Sequence, residues 1–138
     1  MFVGIIGMGA FGELIARHIV GDITVWVYDP KLMIGMERRG VLSTTLERVA
    51  GCVVVVITTP VSSFEAVLRD IGNVCKPGAL IVDVGSGKTI PARLMPKNVR
   101  IIATHPLFGP QSALGGLFWM PIDADSAPEC RKSVNSER

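Results

Sequence analysis

The stretch FVGIIGMGAFGELIARHI, residues 2–19, decides the fold. Residues 2–6 form a short apolar run that predicts a strand. Immediately after it, Phe11, Leu14, Ile15 and Ile19 recur at helical spacing, and Gly21-Asp22 closes that segment. Gly7, Gly9 and Gly12 stand at the junction in a G-x-G-x-x-G pattern, with Asp29 17 residues beyond the last glycine, at the end of the next predicted strand. Glycine triplets alone are weak signals. Between a strand and a helix, however, they have defined tasks: a tight turn at Gly7, approach of a pyrophosphate at Gly9 and close helix–strand packing at Gly12. The expected nucleotide contacts are therefore Gly7, Met8, Gly9, Ala10, Phe11 and Gly12. Asp29 is placed to accept from ribose hydroxyls and to repel a 2′-phosphate, which favours NAD over NADP, although Lys31 softens that repulsion.

Outward from this unit the period keeps alternating. TVWVY at 24–28 reads as a second strand and KLMIGMERR at 31–39 as a helix ended by Gly40. VLST at 41–44 is a minimal third strand. Thr44 with Glu47 offers a capping box for a short helix before VVVVI at 53–57, and Ser62 with Glu65 offers a second before the stripe Phe64, Val67, Leu68, Ile71. LIVDV at 80–84, a short helical stretch around 89–95 and VRIIAT at 99–104 complete the pattern. Six strands alternating with helices predict a doubly wound α/β domain, a Rossmann-type parallel sheet covered on both sides, over residues 1–122. Residues 123–138 lack periodicity and read as a disordered tail.

Composition narrows the function classes. The chain has 138 residues, 49% hydrophobic and 19% charged, enough for one core. A net charge of +2 without a basic cluster argues against a nucleic-acid partner. No apolar run approaches the roughly 20 residues of a membrane-spanning helix, and the N-terminus lacks the basic start of a signal peptide, so a soluble, intracellular protein with no membrane partner is expected. Cys52, Cys75 and Cys130 lack metal-ligand spacing and read as free thiols; no metal is expected.

In a parallel sheet all C-terminal strand ends share one edge, where ligands bind. Gly7–Gly12, Thr58-Thr59-Pro60, the GSGK segment at 85–88 and Thr104-His105-Pro106 are all expected on that edge, with Pro60, Ser86, Lys88 and His105 surrounding the cofactor. Oxidation of a carbinol by nicotinamide needs a group to take the hydroxyl proton, and imidazole is suited to it near neutral pH. His105 meets that description, with Ser86 offering a hydroxyl to imidazole and substrate and Lys88 a positive charge. A histidine before proline at a strand end serves equally well as a turn residue, and position alone leaves both readings open. His18, in the last turn of the first helix, reads as structural.

Taken together, GIIGMGAFG, TTPV, VDVGSGK and THPLFGPQS resemble the nucleotide-binding half of the prephenate and arogenate dehydrogenases, over roughly residues 2–120. The resemblance implies NAD-dependent oxidative decarboxylation of prephenate or arogenate in tyrosine biosynthesis, in the cytoplasm or, after removal of a transit peptide, a plastid. It implies His105 as the residue that assists deprotonation of the ring hydroxyl, Ser86 as its partner, and Thr59-Pro60 as the segment passing the cofactor. A β-hydroxyacid dehydrogenase half, whose lysine lies in a later helical domain, is disfavoured by His105 and Ser86. Gly87 departs from the family's apolar residue between the serine and the lysine. The family also adds a C-terminal helical domain that carries the dimer and a substrate-binding arginine. The expectation is accordingly a truncated form with weak self-association through uncovered apolar surface, or a non-catalytic NAD-binding module.

Overall fold

A computed structural model describes residues 1–21, 23–85, 94 and 96–104, together with the backbone of 121–123. The strands are β1 (Phe2–Ile6), β2 (Thr24–Tyr28), β3 (Glu37–Arg38), β4 (Val41–Ser43), β5 (Val54–Ile57), β6 (Leu80–Asp83), β7 (Arg100–Thr104) and β8 (Pro121–Asp123). The helices are α1 (Ala10–Ile19), α2 (Leu46–Ala50) and α3 (Val61–Ile71). All strands join one sheet in the order β3-β4-β2-β1-β5-β6-β7-β8.

From β4 to β7 every pairing is parallel. The first three parallel strands run outward in one direction from β1, and the next three run in the other from β5. Direction reverses between β1 and β5, the point outside whose C-terminal strand ends a doubly wound sheet offers its ligand crevice. Alternation along the central strands feeds two cores. Ile6, Val55, Ile57, Ile81 and Ile101 pack with Phe64, Leu68 and Ile71 of α3 and Val49 of α2. Val3, Ile5, Val25, Val27 and Val56 pack with Ile15 and Ala16 of α1. Burial on both faces explains why these strands read as apolar runs.

Several local expectations are corrected. Residues 31–39 are not a helix. Gly35 adopts φ +86, its N–H donates to Ser43 O at 2.8 Å and Ser43 N–H donates to Met36 O at 2.8 Å, so the segment pairs with β4. It ends as β3, antiparallel to β4. A glycine in the left-handed region breaks the helical path, and edge pairing takes the backbone groups instead. The open face beside α1 becomes a groove of about 540 Å³ lined by Ala16, Val20, Val27, Leu32 and Val41 among others.

Neither capping box forms. Thr44 is buried and its N–H extends the sheet to Val27 O at 2.9 Å, so the helix starts one residue later with Thr45 accepting from Arg48 N–H at 3.4 Å. Pro60, at φ −55, occupies the N-cap of α3, which puts Ser62 inside the first turn and leaves Glu65 to pair with Arg69 at 3.5 Å. β8 is a strand the sequence pattern did not signal; it runs antiparallel to β7, with Asp123 opposite Ile102. The expected helical stretch at 89–95, apart from Leu94, and the expected tail from 124 lie outside the described residues.

Candidate functional site

The crevice is built where β1 passes into α1. Gly7 has φ +98, a conformation that disfavours a side chain, and its N–H donates to Tyr28 O at 2.8 Å. A Cβ on Gly12 would press into the Gly7 carbonyl and reach within 2.9 Å of the Thr58 hydroxyl, so close packing of α1 on the loop requires glycine there. Gly9 is different. It is exposed, and a Cβ there would meet nothing within 4 Å.

Gly9 is also the N-cap of α1 and supplies no side-chain cap. The first intrahelical bond is Glu13 N–H to Gly9 O at 2.9 Å, so the first-turn N–H groups precede the helical ladder. Such an end carries partial positive charge and suits a phosphate. Ala10 is exposed at this end, whereas Met8 and Phe11 are half-buried and pack onto the α1 core.

Asp29 sits one residue beyond β2. Its Oδ2 accepts from Met8 N–H at 2.8 Å and its Oδ1 from Lys31 N–H at 2.9 Å. A carboxylate offers about four acceptor positions, so capacity remains for further donors. Thr58, one residue past β5, donates its hydroxyl to Gly7 O at 2.7 Å, and its N–H donates to Ile6 O at 2.9 Å. The sequence places Thr58 on this edge with Thr59 and Pro60 but assigns it no role of its own, because nothing local distinguishes it from Thr59. Thr59 Oγ1 is buried and has no hydrogen-bond partner among the described residues, and Pro60 is exposed.

The far side of the edge is carried by β6 and β7. Asp83 is buried, its Oδ1 accepts from Gly85 N–H at 2.8 Å, and its carbonyl accepts from Thr104 Oγ1 at 2.9 Å. Ser86, Lys88 and His105 lie outside the described residues. His18 is exposed, with Nδ1 donating to Leu14 O at 2.8 Å within α1. Burial pushes the thiols of Cys52 and Cys75 up, a shift the nearby Lys76 ammonium partly opposes at Cys52. Among the described residues no group of three or more His, Cys, Asp or Glu side chains could hold a metal, and no helix is long and apolar enough to cross a membrane.

The family model described as prephenate dehydrogenase, nucleotide-binding domain, matches residues 22–118, well over half of the chain. The chain belongs to this family. Arogenate dehydrogenase 1, chloroplastic, of Arabidopsis thaliana is 31% identical over 126 residues, 83% of this chain and 19% of that protein. A protein of Methanocaldococcus jannaschii named probable arogenate/prephenate dehydrogenase is 32% identical over 63 residues, 43% of this chain and 14% of its own. The prephenate dehydrogenase-family chain thus spans about a fifth or less of the length of these relatives. Pyrroline carboxylate reductase of Plasmodium falciparum, solved with NADP bound, superposes with a TM-score of 0.72 at 18% identity, covering 99% of this chain and 53% of that one. That likeness establishes the dinucleotide-binding type of fold, which other dehydrogenases share.

Proposed function

We propose that this domain binds NAD, in preference to NADP, along the Gly7–Gly12 loop, and serves as the nucleotide half of an NAD-dependent dehydrogenase acting on prephenate or arogenate. The observation that carries the reading is the open position at Gly9, at the uncapped end of α1, beside a carboxylate with spare acceptor capacity. Thr59 Oγ1 on the same edge, buried and without a hydrogen-bond partner among the described residues, also fits a ligand that supplies a donor or acceptor there. A nicotinamide bound there would supply the acceptor for a hydride from the substrate carbinol.

The chain's own residues do the remainder. Backbone N–H groups at the start of α1 hold the pyrophosphate, and Asp29 accepts from the ribose hydroxyls while disfavouring a 2′-phosphate. Met8 and Pro60 bound the edge. On the substrate side, His105 accepts the ring hydroxyl proton, Ser86 orients the imidazole and the hydroxyl, and Lys88 supplies positive charge beside them. Family membership and the quoted VDVGSGK and THPLFGP motifs support these three assignments.

Isothermal titration with NAD and NADP, paired with NADH formation from prephenate and arogenate, tests the reading. NAD is expected to bind more tightly than NADP, Asp29→Ala to weaken NAD, and His105→Ala to abolish turnover with binding largely intact. No heat from either dinucleotide at millimolar concentration would sink the nucleotide reading. Binding without NADH from either substrate would leave a nucleotide-binding module.

A further inference from the structure

The bonds from Thr58 and Asp29 fall on the two ends of one peptide unit. The Gly7 carbonyl accepts from Thr58 Oγ1 at 2.7 Å, and the Met8 N–H across the same amide donates to Asp29 Oδ2 at 2.8 Å. The two side chains come from opposite sides of the loop, Thr58 from the end of β5 and Asp29 from the end of β2. Both strands flank β1, so the amide is gripped across the point where strand order reverses.

This amide needs gripping. Gly7 at φ +98 has no Cβ to choose between the two orientations of the following peptide plane. A flip of that plane would exchange its carbonyl for its N–H, turn an oxygen toward the Asp29 carboxylate and break both bonds, loosening the loop that leads into the anion-binding end of α1. Thr58 has one hydroxyl proton and two nearby carbonyls, Gly7 O at 2.7 Å and Ile6 O at 3.2 Å. The shorter contact takes it. Gly12 belongs to the same device, since a Cβ there would intrude within 2.9 Å of that hydroxyl.

We infer that Thr58 is a positioning residue of the dinucleotide site: with Asp29 it locks the Gly7–Met8 amide so that its carbonyl faces β5 and its N–H faces the Asp29 carboxylate. Asp29 then does two things at once, holding the loop and receiving the ribose. This deepens the nucleotide reading proposed above and rests on it for the ligand, while the clamp itself is a property of the ligand-free protein.

The test has one arm that needs no ligand. Amide hydrogen exchange of 15N-labelled protein should show Met8 protected in the wild type and in Thr58→Ser, exchanging roughly 3–10-fold faster in Thr58→Val, the factor that one hydrogen bond is worth. Asp29→Asn, which keeps one acceptor oxygen, should retain more protection than Asp29→Ala. Unchanged Met8 exchange in Thr58→Val, with only a lower melting temperature, would overturn the inference and make Thr58 merely structural. In the second arm, titration with ADP-ribose and with adenosine, Thr58→Val should weaken ADP-ribose by about the same factor and leave adenosine unaffected, with Thr58→Ser restoring it. Equal loss for both ligands would also overturn it. If the wild type binds neither ligand, the nucleotide reading fails, and the exchange arm still decides the clamp.

Discussion

The three loop glycines look equivalent in sequence, and their surroundings separate them. An alanine methyl at Gly9 enters open space on an extended backbone of φ −71, so Gly9→Ala should leave the melting temperature unchanged or slightly raised, because the unfolded chain loses freedom. The same methyl stands where a pyrophosphate would approach, and NAD affinity should fall at least about tenfold, a cost near 1.4 kcal/mol. Gly12→Ala drives its methyl into the Gly7 carbonyl and the Thr58 hydroxyl, and overpacking of this kind costs about 1–3 kcal/mol. Differential scanning calorimetry of both variants, alongside NAD titration, checks the contrast; equal melting temperatures would refute it. Spacing and context made the loop and Asp29 legible in the sequence. The partner of the Gly7 carbonyl was not, since Thr58 lies 51 residues away and looks the same as Thr59 beside it. Ser86, Lys88 and His105 rest on motif alone, because they lie outside the described residues.

Among elements, the sequence read well where packing dictates the pattern and badly where backbone bonding does. Strands buried on both faces are apolar throughout, and β1, β2, β5, β6 and β7 appear within a residue or so of their expected limits. Helix starts depend on which amide is already committed: the Thr44 amide belongs to the sheet and Pro60 has none, so two plausible capping boxes are bypassed. Ser62→Ala should therefore change stability by less than about 0.5 kcal/mol, the usual effect of a surface change, whereas Thr45→Ala should cost roughly 0.5–1 kcal/mol as a true N-cap. Urea midpoints of the two variants discriminate these roles, and a larger loss for Ser62→Ala would restore the bypassed box. In the β3–β4 turn, Arg39 at φ 53 precedes Gly40 at φ 79, a pair of left-handed positions that favours Asn-Gly. Arg39→Asn should raise the urea midpoint, by an amount worth a few tenths of a kcal/mol up to about 1; a lower midpoint would show that the arginine makes contacts outweighing its backbone cost.

At the scale of the whole molecule, the two edge strands β3 and β8 went unread because two or three residues carry too little pattern, while the doubly wound layering followed from alternation alone. That layering encloses Cys52 in the α2–α3 core, with Cys75 packed against the same cluster. Neither thiol is in a disulfide, and burial raises both above their ordinary values. The folded state therefore holds these protons at pH values where the unfolded chain has released them. Their contribution is fully present below the unfolded thiol value of about 8.5 and is lost as pH rises through the folded values. The fold should accordingly lose stability on the alkaline side through its core. Denaturant midpoints measured from pH 7.5 upward should fall more steeply for the wild type than for a Cys52→Ala, Cys75→Ala double variant, whose absolute stability is lower but whose curve lacks the thiol component. Parallel curves would mean that the thiols ionise in the folded protein as readily as in the unfolded chain, and that the core around Cys52 admits water that its burial says it excludes.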